Sequence, residues 1–182
     1  MDSWCEDDGF VCYESQMLRE WAAYAGAVQQ GPRRGEPLKM KKIQRNSLCI
    51  LTTRFPETQE EDRLIFGVFL VDELEEGDEL SEGFVKTNSK FKIELTPKEA
   101  KVMNFWNYYA NGENPEKPRW GQGLFRYLDD EIAAQILRDI VEIKTSKKDK
   151  AFAEEFFEHY CQVNNIALDA IGEPEGALCI RE

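Results

Sequence analysis

Arginines and lysines are the side chains whose type and spacing point most directly to chemistry in this chain. Residues 33–54 hold seven of them (Arg33, Arg34, Lys39, Lys41, Lys42, Arg45 and Arg54) against a single acid, Glu36, a local charge of +6. Residues 57–82 follow with eleven acids against Arg63 alone, a local charge of -10. Guanidinium and ammonium groups gathered on one face hold phosphates. A cationic groove on an otherwise anionic molecule would admit a nucleic acid while the remaining surface repels indiscriminate contacts. The same charges could instead pair with the neighbouring acidic stretch, where each exposed pair contributes only about 0–1 kcal/mol. Both readings stay open on the residues alone.

Indoles supply the second feature. Of the four tryptophans, Trp21 and Trp106 fall at helical spacing among apolar residues, which predicts core positions. Trp120 stands between Arg119 and Gly121 in a glycine-containing loop, where a ring can be presented to a ligand or close over a core. An unpaired base stacked on such a ring would gain about 1–3 kcal/mol.

Catalysis and metal binding have thinner support. His159 is the sole histidine, placed on the flank of a helical pattern near Glu155 and Glu158, so any Ser–His or Cys–His arrangement would have to use it. The five cysteines (Cys5, Cys12, Cys49, Cys161 and Cys179) lack the close pairs of structural zinc, and their odd number argues against a disulfide framework. Cys49 lies in an apolar run and is expected to pack as a small hydrophobe. Residues 72–82 place seven carboxylates in eleven positions, a solvated charged turn whose spacing does not match a calcium loop. Phosphate-loop glycine motifs are absent. No catalytic residue, metal or cofactor is assigned, and binding is the expected activity.

The elements that must position these groups follow from periodicity. Residues 9–13 (GFVCY) read as a short strand. Ser15 caps a helix with Met17, Leu18, Trp21, Ala25 and Val28 on one stripe, ending by the Gly31-Pro32 pair. A loop rich in Gly, Pro and basic residues leads to two β runs, 47–53 and 64–74, continuously apolar at their centres as in strands covered on both faces. The polar connection between them makes the pair antiparallel, and Gly67 predicts a bulge or a close backbone approach. Phe91, Ile93 and Leu95 alternate with Lys92 and Glu94, a half-buried strand.

Thr96-Pro97-Lys98-Glu99 opens a helix with a capping box, carrying Val102, Met103, Trp106, Tyr109 and Ala110 to a stop at Asn111-Gly112. Further helices start near Asp129 and at Ser146, and residues 177–181 form a short final strand. Strands grouped before helices predict an α+β fold.

With 182 residues the chain is long enough for one domain, here 1–145, with a C-terminal helix and tail, 146–182, packed on it. The net charge of -12 opposes indiscriminate binding to DNA or anionic membrane. The first ten residues lack an apolar signal segment, and the longest apolar run is far short of the roughly 20 residues that span a bilayer, so a cytoplasmic protein is expected.

Residues 21–95 carry a helix with Trp21, a Gly/basic loop, the approach MKKIQRNSLCILTT into an apolar strand, and the Gly-containing strand IFGVFLVDE. This stretch resembles the PUA-like superfamily, with its EVE, ASCH and YTH branches. The resemblance implies a twisted antiparallel or mixed β-barrel flanked by helices, with a C-terminal helical extension. It also implies recognition of RNA or DNA, or of a modified base, in a pocket between barrel and helix. On that likeness Thr52, Thr53 and Arg54 end the pocket strand with Trp21 close by. The expected binding set is Trp21, Arg33, Arg34, Lys41, Arg45, Thr52, Thr53, Arg54 and Trp120. The alternative is a protein-interaction or accessory domain whose charged segments meet a partner protein, with no nucleic-acid ligand.

Overall fold

The apolar run Leu64–Leu70 is the strand on which the molecule is built, and every residue of it is buried. The computed structural model describes residues 13–121 and 124–180. In chain order its elements are α1 (Tyr13–Glu20), β1 (Ala22–Tyr24), β2 (Leu48–Thr53), β3 (Leu64–Leu70), β4 (Glu73–Glu75), β5 (Phe84–Lys86), β6 (Lys92–Glu94), α2 (Pro97–Ala100), α3 (Asp130–Ile143) and α4 (Lys147–Val163). The strands form two antiparallel sheets, ordered β2-β3-β6 and β1-β5-β4.

β3 divides two hydrophobic clusters. Ile65, Val68 and Leu70 join α3, α4 and Trp106, whereas Phe66, Phe69 and Val71 join Leu18, Met40 and Val85. Burial on both faces is why the run shows no polar alternation. The β2–β3 register shifts between Leu51, opposite Gly67, and Thr52, opposite Ile65, which places a bulge at Phe66–Gly67. A Cβ on Gly67 would lie 3.1 Å from Leu18 Cδ2, so glycine also lets α1 approach the sheet closely.

The α+β class is as expected, but the barrel is not. Neither sheet closes, and four of the six strands span three residues. The reason lies after Leu70, where the expected long strand breaks between two sheets. Val71 N–H still donates to Ser47 O on the β2 side (2.9 Å), but Asp72 N–H donates to Lys86 O of β5 (3.2 Å). Short strands divided in this way cannot supply the continuous staggered register that closure requires.

Two helix expectations and one strand expectation are corrected by long-range pairing. α1 stops at Glu20; Trp21 takes a left-handed φ of 48° and the chain enters β1, with Trp21 O accepting from Thr87 N–H at 3.0 Å. Trp21 is therefore not on a helix stripe. At α2 the Thr96–Glu99 capping box forms, Thr96 N–H donating to Glu99 Oε2 at 2.8 Å. That helix ends after four residues, because Met103–Phe105 pairs with the start of β3. Ile65 N–H donates to Met103 O and Phe105 N–H to Arg63 O, both at 2.9 Å, leaving Val102 exposed. The tail 177–180 is a turn, not a strand, docked by Ala177 N–H to Tyr109 O (3.0 Å) and Leu178 N–H to Trp106 O (3.1 Å). Of the strand expected at 9–13, residues 9–12 lie outside the described residues and Tyr13 begins α1.

α3 and α4 form where expected. Ser146 Oγ accepts from Asp149 N–H at 3.1 Å, capping α4. Phe156 and Tyr160 then pack on the face of α3 that buries Ile136, Leu137 and Ile140. Asn164, at the end of α4, donates to Asn46 O at 3.0 Å and ties that helix to the loop before β2.

One ion pair fixes the end of α3 to α2. Lys144 Nζ lies 2.9 and 3.0 Å from the two oxygens of Glu99, with both side chains mostly buried. Burial opposes ionisation of Glu99, but the Thr96 N–H and the Lys144 ammonium outweigh it and hold the carboxyl below its ordinary 4.5. A depressed folded value adds stability above the unfolded value, lost as pH falls through the folded one. Unfolding free energy is accordingly expected to decline on acidification below about pH 4.5. Lys144→Met should cost about 2 kcal/mol at pH 7 and flatten that acid limb, as read by urea denaturation across pH.

Candidate functional site

Two loops make the walls of an open cleft. The first is the β2–β3 connection, whose short 3-10 turn Glu60–Asp62 is fastened from behind. Trp106 Nε1–H donates to Glu60 O (2.7 Å) and Asn104 Nδ2 to Glu61 O (2.6 Å). The second wall is the loop before α3, where Asn111 Nδ2 donates to Lys117 O (3.0 Å) and Arg119 O (3.2 Å). Between them lies a cavity of about 590 Å³ lined by Glu60, Pro118, Arg119, Trp120 and Gly121.

The half-buried indole of Trp120 is the centre of this arrangement. One edge packs on Phe105, centroid to centroid 5.4 Å, which ties it to the larger core. The Arg63 guanidinium carbon lies 4.0 Å from its centroid and that of Arg126 lies 5.1 Å away. Cation–π attraction of this kind orients both the ring and the cations. Arg63 is locked in turn: Nε and Nη2 contact Glu60 Oε1 and Oε2 at 2.6 and 3.0 Å, and Nη1 approaches Thr52 Oγ1 at 3.5 Å. Arg54 joins from the end of β2, its Nε 3.7 Å from Glu60 Oε2 and its Nη1 donating to Thr58 O. Arg126 Nε is buried with no hydrogen-bond partner among the described residues. Three guanidinium groups thus contact the Glu60 carboxylate or the Trp120 indole, and Arg119 lines the cleft beside them.

The expected binding set divides. Thr52, Arg54 and Trp120 are drawn together by Arg63 and Glu60. Thr53 is buried with its hydroxyl donating to Glu14 Oε1 (2.6 Å), a contact between α1 and β2. Trp21 meets Phe69 edge-on at 6.3 Å in the second cluster and does not line the cleft. Arg33, Arg34, Lys41 and Arg45 are exposed on the loop before β2, and none of them lines it either. That loop is clipped to the acidic hairpin by its backbone, Met40 N–H to Glu76 O and Gly83 N–H to Leu38 O, each 2.9 Å. Among the described residues, the seven basic side chains of 33–54 make two ion pairs, Arg33–Glu36 (2.6 Å) and Arg54–Glu60. Of this run only Arg54 reaches the cleft wall, where it pairs with Glu60 of the acidic stretch; the six basic residues at 33–45 do not converge there and, among the described residues, make no ion pair with that stretch. Glu60, Arg63, Arg119 and Arg126 were absent from the expected set. Arg63 carried a signal, as the lone base of an acidic stretch, and so did Arg119, beside the loop indole.

Compared with family models, with curated proteins and with solved structures, the chain matches none.

None of the described cysteines, nor His159, lines the cleft. Burial pushes the Cys49 thiol up to about 12 and the Cys161 thiol to about 11, leaving little thiolate at neutral pH. His159 stacks on Phe91 at 4.3 Å. Burial, reinforced by Asp139 beside Tyr108 and Asp130 beside Tyr160, raises both phenols. Each phenol donates to its carboxylate, at 2.8 and 3.1 Å respectively, which fastens α3 to its neighbours. Among the described residues, no three metal-ligating side chains come together, and no helix is long and apolar enough to cross a membrane.

Proposed function

We propose that the chain is a non-catalytic binding module for single-stranded nucleic acid, with the Trp120 cleft as its receptor. The observation that carries this reading is an indole lining an open cleft with guanidinium groups 4.0 and 5.1 Å from its centroid. A base is sequence-tolerantly held by an aromatic face, and the phosphates beside it by cations. Arg119, exposed on the cleft wall, would meet phosphate, while Arg63 and Glu60, braced by Arg54, keep the wall in position. The net charge of -12 opposes indiscriminate contact with a polyanion.

Fluorescence anisotropy with labelled single-stranded RNA and, separately, single-stranded DNA tests this reading and distinguishes the two. Affinity for the preferred strand should fall about tenfold between 50 and 300 mM salt, the loss expected from releasing about two counterions. Arg119→Glu should weaken binding about tenfold, and Arg33→Glu with Arg34→Glu should leave it nearly unchanged. Salt-independent binding, or loss of affinity only in the 33/34 double variant, would contradict the assignment.

A second reading is favoured by Leu80, 93% exposed at the tip of the acidic hairpin. The carboxylates around it complement a basic protein surface, as an accessory domain would require. On that reading neither strand binds in the same titration.

A further inference from the structure

A groove of about 260 Å³ lies between α3, α4 and the turn Leu168–Ala170, and it shares no lining residue with the Trp120 cleft. Helical spacing builds it. Arg138, Val141 and Glu142 stand at i, i+3 and i+4 on α3, and Glu154, Phe157 and Glu158 stand at the same intervals on α4, so each triple shares one face. Val141 is buried and Phe157 half-buried, and Leu168 completes the apolar lining with 54% of its surface open. Glu142, Glu154 and Glu158 are exposed beside it.

The charged groups of the groove differ in what already holds them. Arg138 is committed within the fold: its Nη1 donates to Gly172 O at 3.1 Å, and its Nε and Nη2 lie 3.3 and 3.4 Å from carboxylate oxygens of Asp139 and Glu173. Glu142 lies 3.7 Å from Lys150 Nζ, whereas among the described residues Glu154 and Glu158 enter no ion pair. Carboxylates beside an apolar lining repel phosphate, which disfavours nucleic acid and anionic lipid here. The volume falls short of the roughly 300–1,000 Å³ of small-molecule sites, and it suits one or two anchoring side chains instead. An occupant must offer an apolar anchor flanked by cations, and a basic amphipathic helix presents both at i, i+3 and i+4.

We propose that this groove docks a basic amphipathic helix of a partner protein, with leucine-type side chains entering against Val141, Phe157 and Leu168 and lysines or arginines meeting Glu154 and Glu158. The inference does not rest on the nucleic-acid reading of the Trp120 cleft. It also differs from contact through the acidic hairpin, where no such apolar groove adjoins the carboxylates.

Two labelled dodecapeptides titrated into the full chain, read by fluorescence anisotropy, test it. Both carry the same lysines; one places leucines at i, i+3, i+4 and i+7, and the other places alanines there. The leucine peptide should bind about tenfold more tightly, because only it fills the groove. Leu168→Ser should weaken the leucine peptide about fivefold and leave the alanine peptide unchanged. Glu154→Gln with Glu158→Gln should weaken both peptides about fivefold, and Glu76→Gln with Glu79→Gln, on the acidic hairpin, should alter neither. Equal affinity for the two peptides would show attraction by charge alone and overturn the proposal. A loss in the hairpin variant as large as that in the groove variant would do the same. Failure of the leucine peptide to bind would overturn it and leave the Trp120 cleft untouched. The comparison of peptides uses the unaltered chain, so a variant that does not fold still leaves the inference decided.

Discussion

Trp120→Leu is expected to lower affinity for single-stranded oligonucleotides by ten- to a hundredfold while shifting the melting temperature by only a few degrees. Leucine keeps an apolar contact with Phe105, so the wall of the larger core stays closed. It removes the flat π-surface on which a base can lie, and that surface contributes about 1–3 kcal/mol per base. It also removes what orients Arg63 and Arg126, whose guanidinium carbons lie 4.0 and 5.1 Å from the ring centroid. For a chain of this size about 1 kcal/mol of destabilisation corresponds to roughly 2–4 °C, so binding and stability separate cleanly. Anisotropy and a thermal melt on the same preparation make the comparison. Unchanged affinity in the variant would move the ligand away from this cleft.

Trp106→Ala should be the most damaging single change for folding. The residue is fully buried, and truncating a buried aromatic costs about 3–5 kcal/mol. Its indole N–H is also the donor to Glu60 O at 2.7 Å, the bond that seats the cleft wall on the core. Trp106→Phe separates these roles. It retains most of the apolar volume and takes the indole donor from the Glu60 carbonyl, which keeps only the Arg63 N–H at 3.2 Å, at a cost of about 1 kcal/mol. Urea midpoints should rank wild type above Phe and Phe above Ala. Binding by the folded Phe variant should already be weakened, because Glu60 and Arg63 move together. A Phe variant as stable as wild type would show that the indole bond does not hold the wall.

What was legible in the sequence and what was not divide by the range of the interaction concerned. The β2–β3 pair was readable because a continuous run of apolar and β-branched residues has few alternatives to a strand covered on both faces. The starts of α2 and α4 were readable because a cap needs only residues within one turn, as at Thr96–Glu99 and Ser146–Asp149. Their ends and continuations were not. Helical spacing continues beyond Glu20 and beyond Ala100, but backbone bonds from Trp21 O to Thr87 N–H and from Met103 O to Ile65 N–H claim those carbonyls first. The barrel failed on the same ground, since its closure depended on strands that the chain shares between two sheets after Leu70.

The cleft was half legible. Trp120 stood out by its loop, and Thr52 and Arg54 by their place at a strand end. Nothing local indicated that Arg63 would cross to the Trp120 ring, or that Arg126 would lie within 5.1 Å of it, because both contacts are made only after the loop before α3 packs on the β2–β3 turn. Counting charge along the chain highlighted residues 33–45, whose side chains spread over an exposed loop. Four arginines scattered over residues 54–126 gather where no run of basic residues exists. Charge density in sequence and in space are different quantities, and only the second one binds a ligand.

Two-dimensional 1H–15N NMR of the indole N–H groups, assigned with Trp120→Phe, tests the location of the site most directly. On titration with a single-stranded oligonucleotide the Trp120 indole resonance should move, accompanied by the guanidinium Nε–H signals of Arg63 and Arg119, while the Trp21 indole stays in place. Movement confined to the backbone amides of residues 33–45 with a stationary Trp120 resonance would contradict the account.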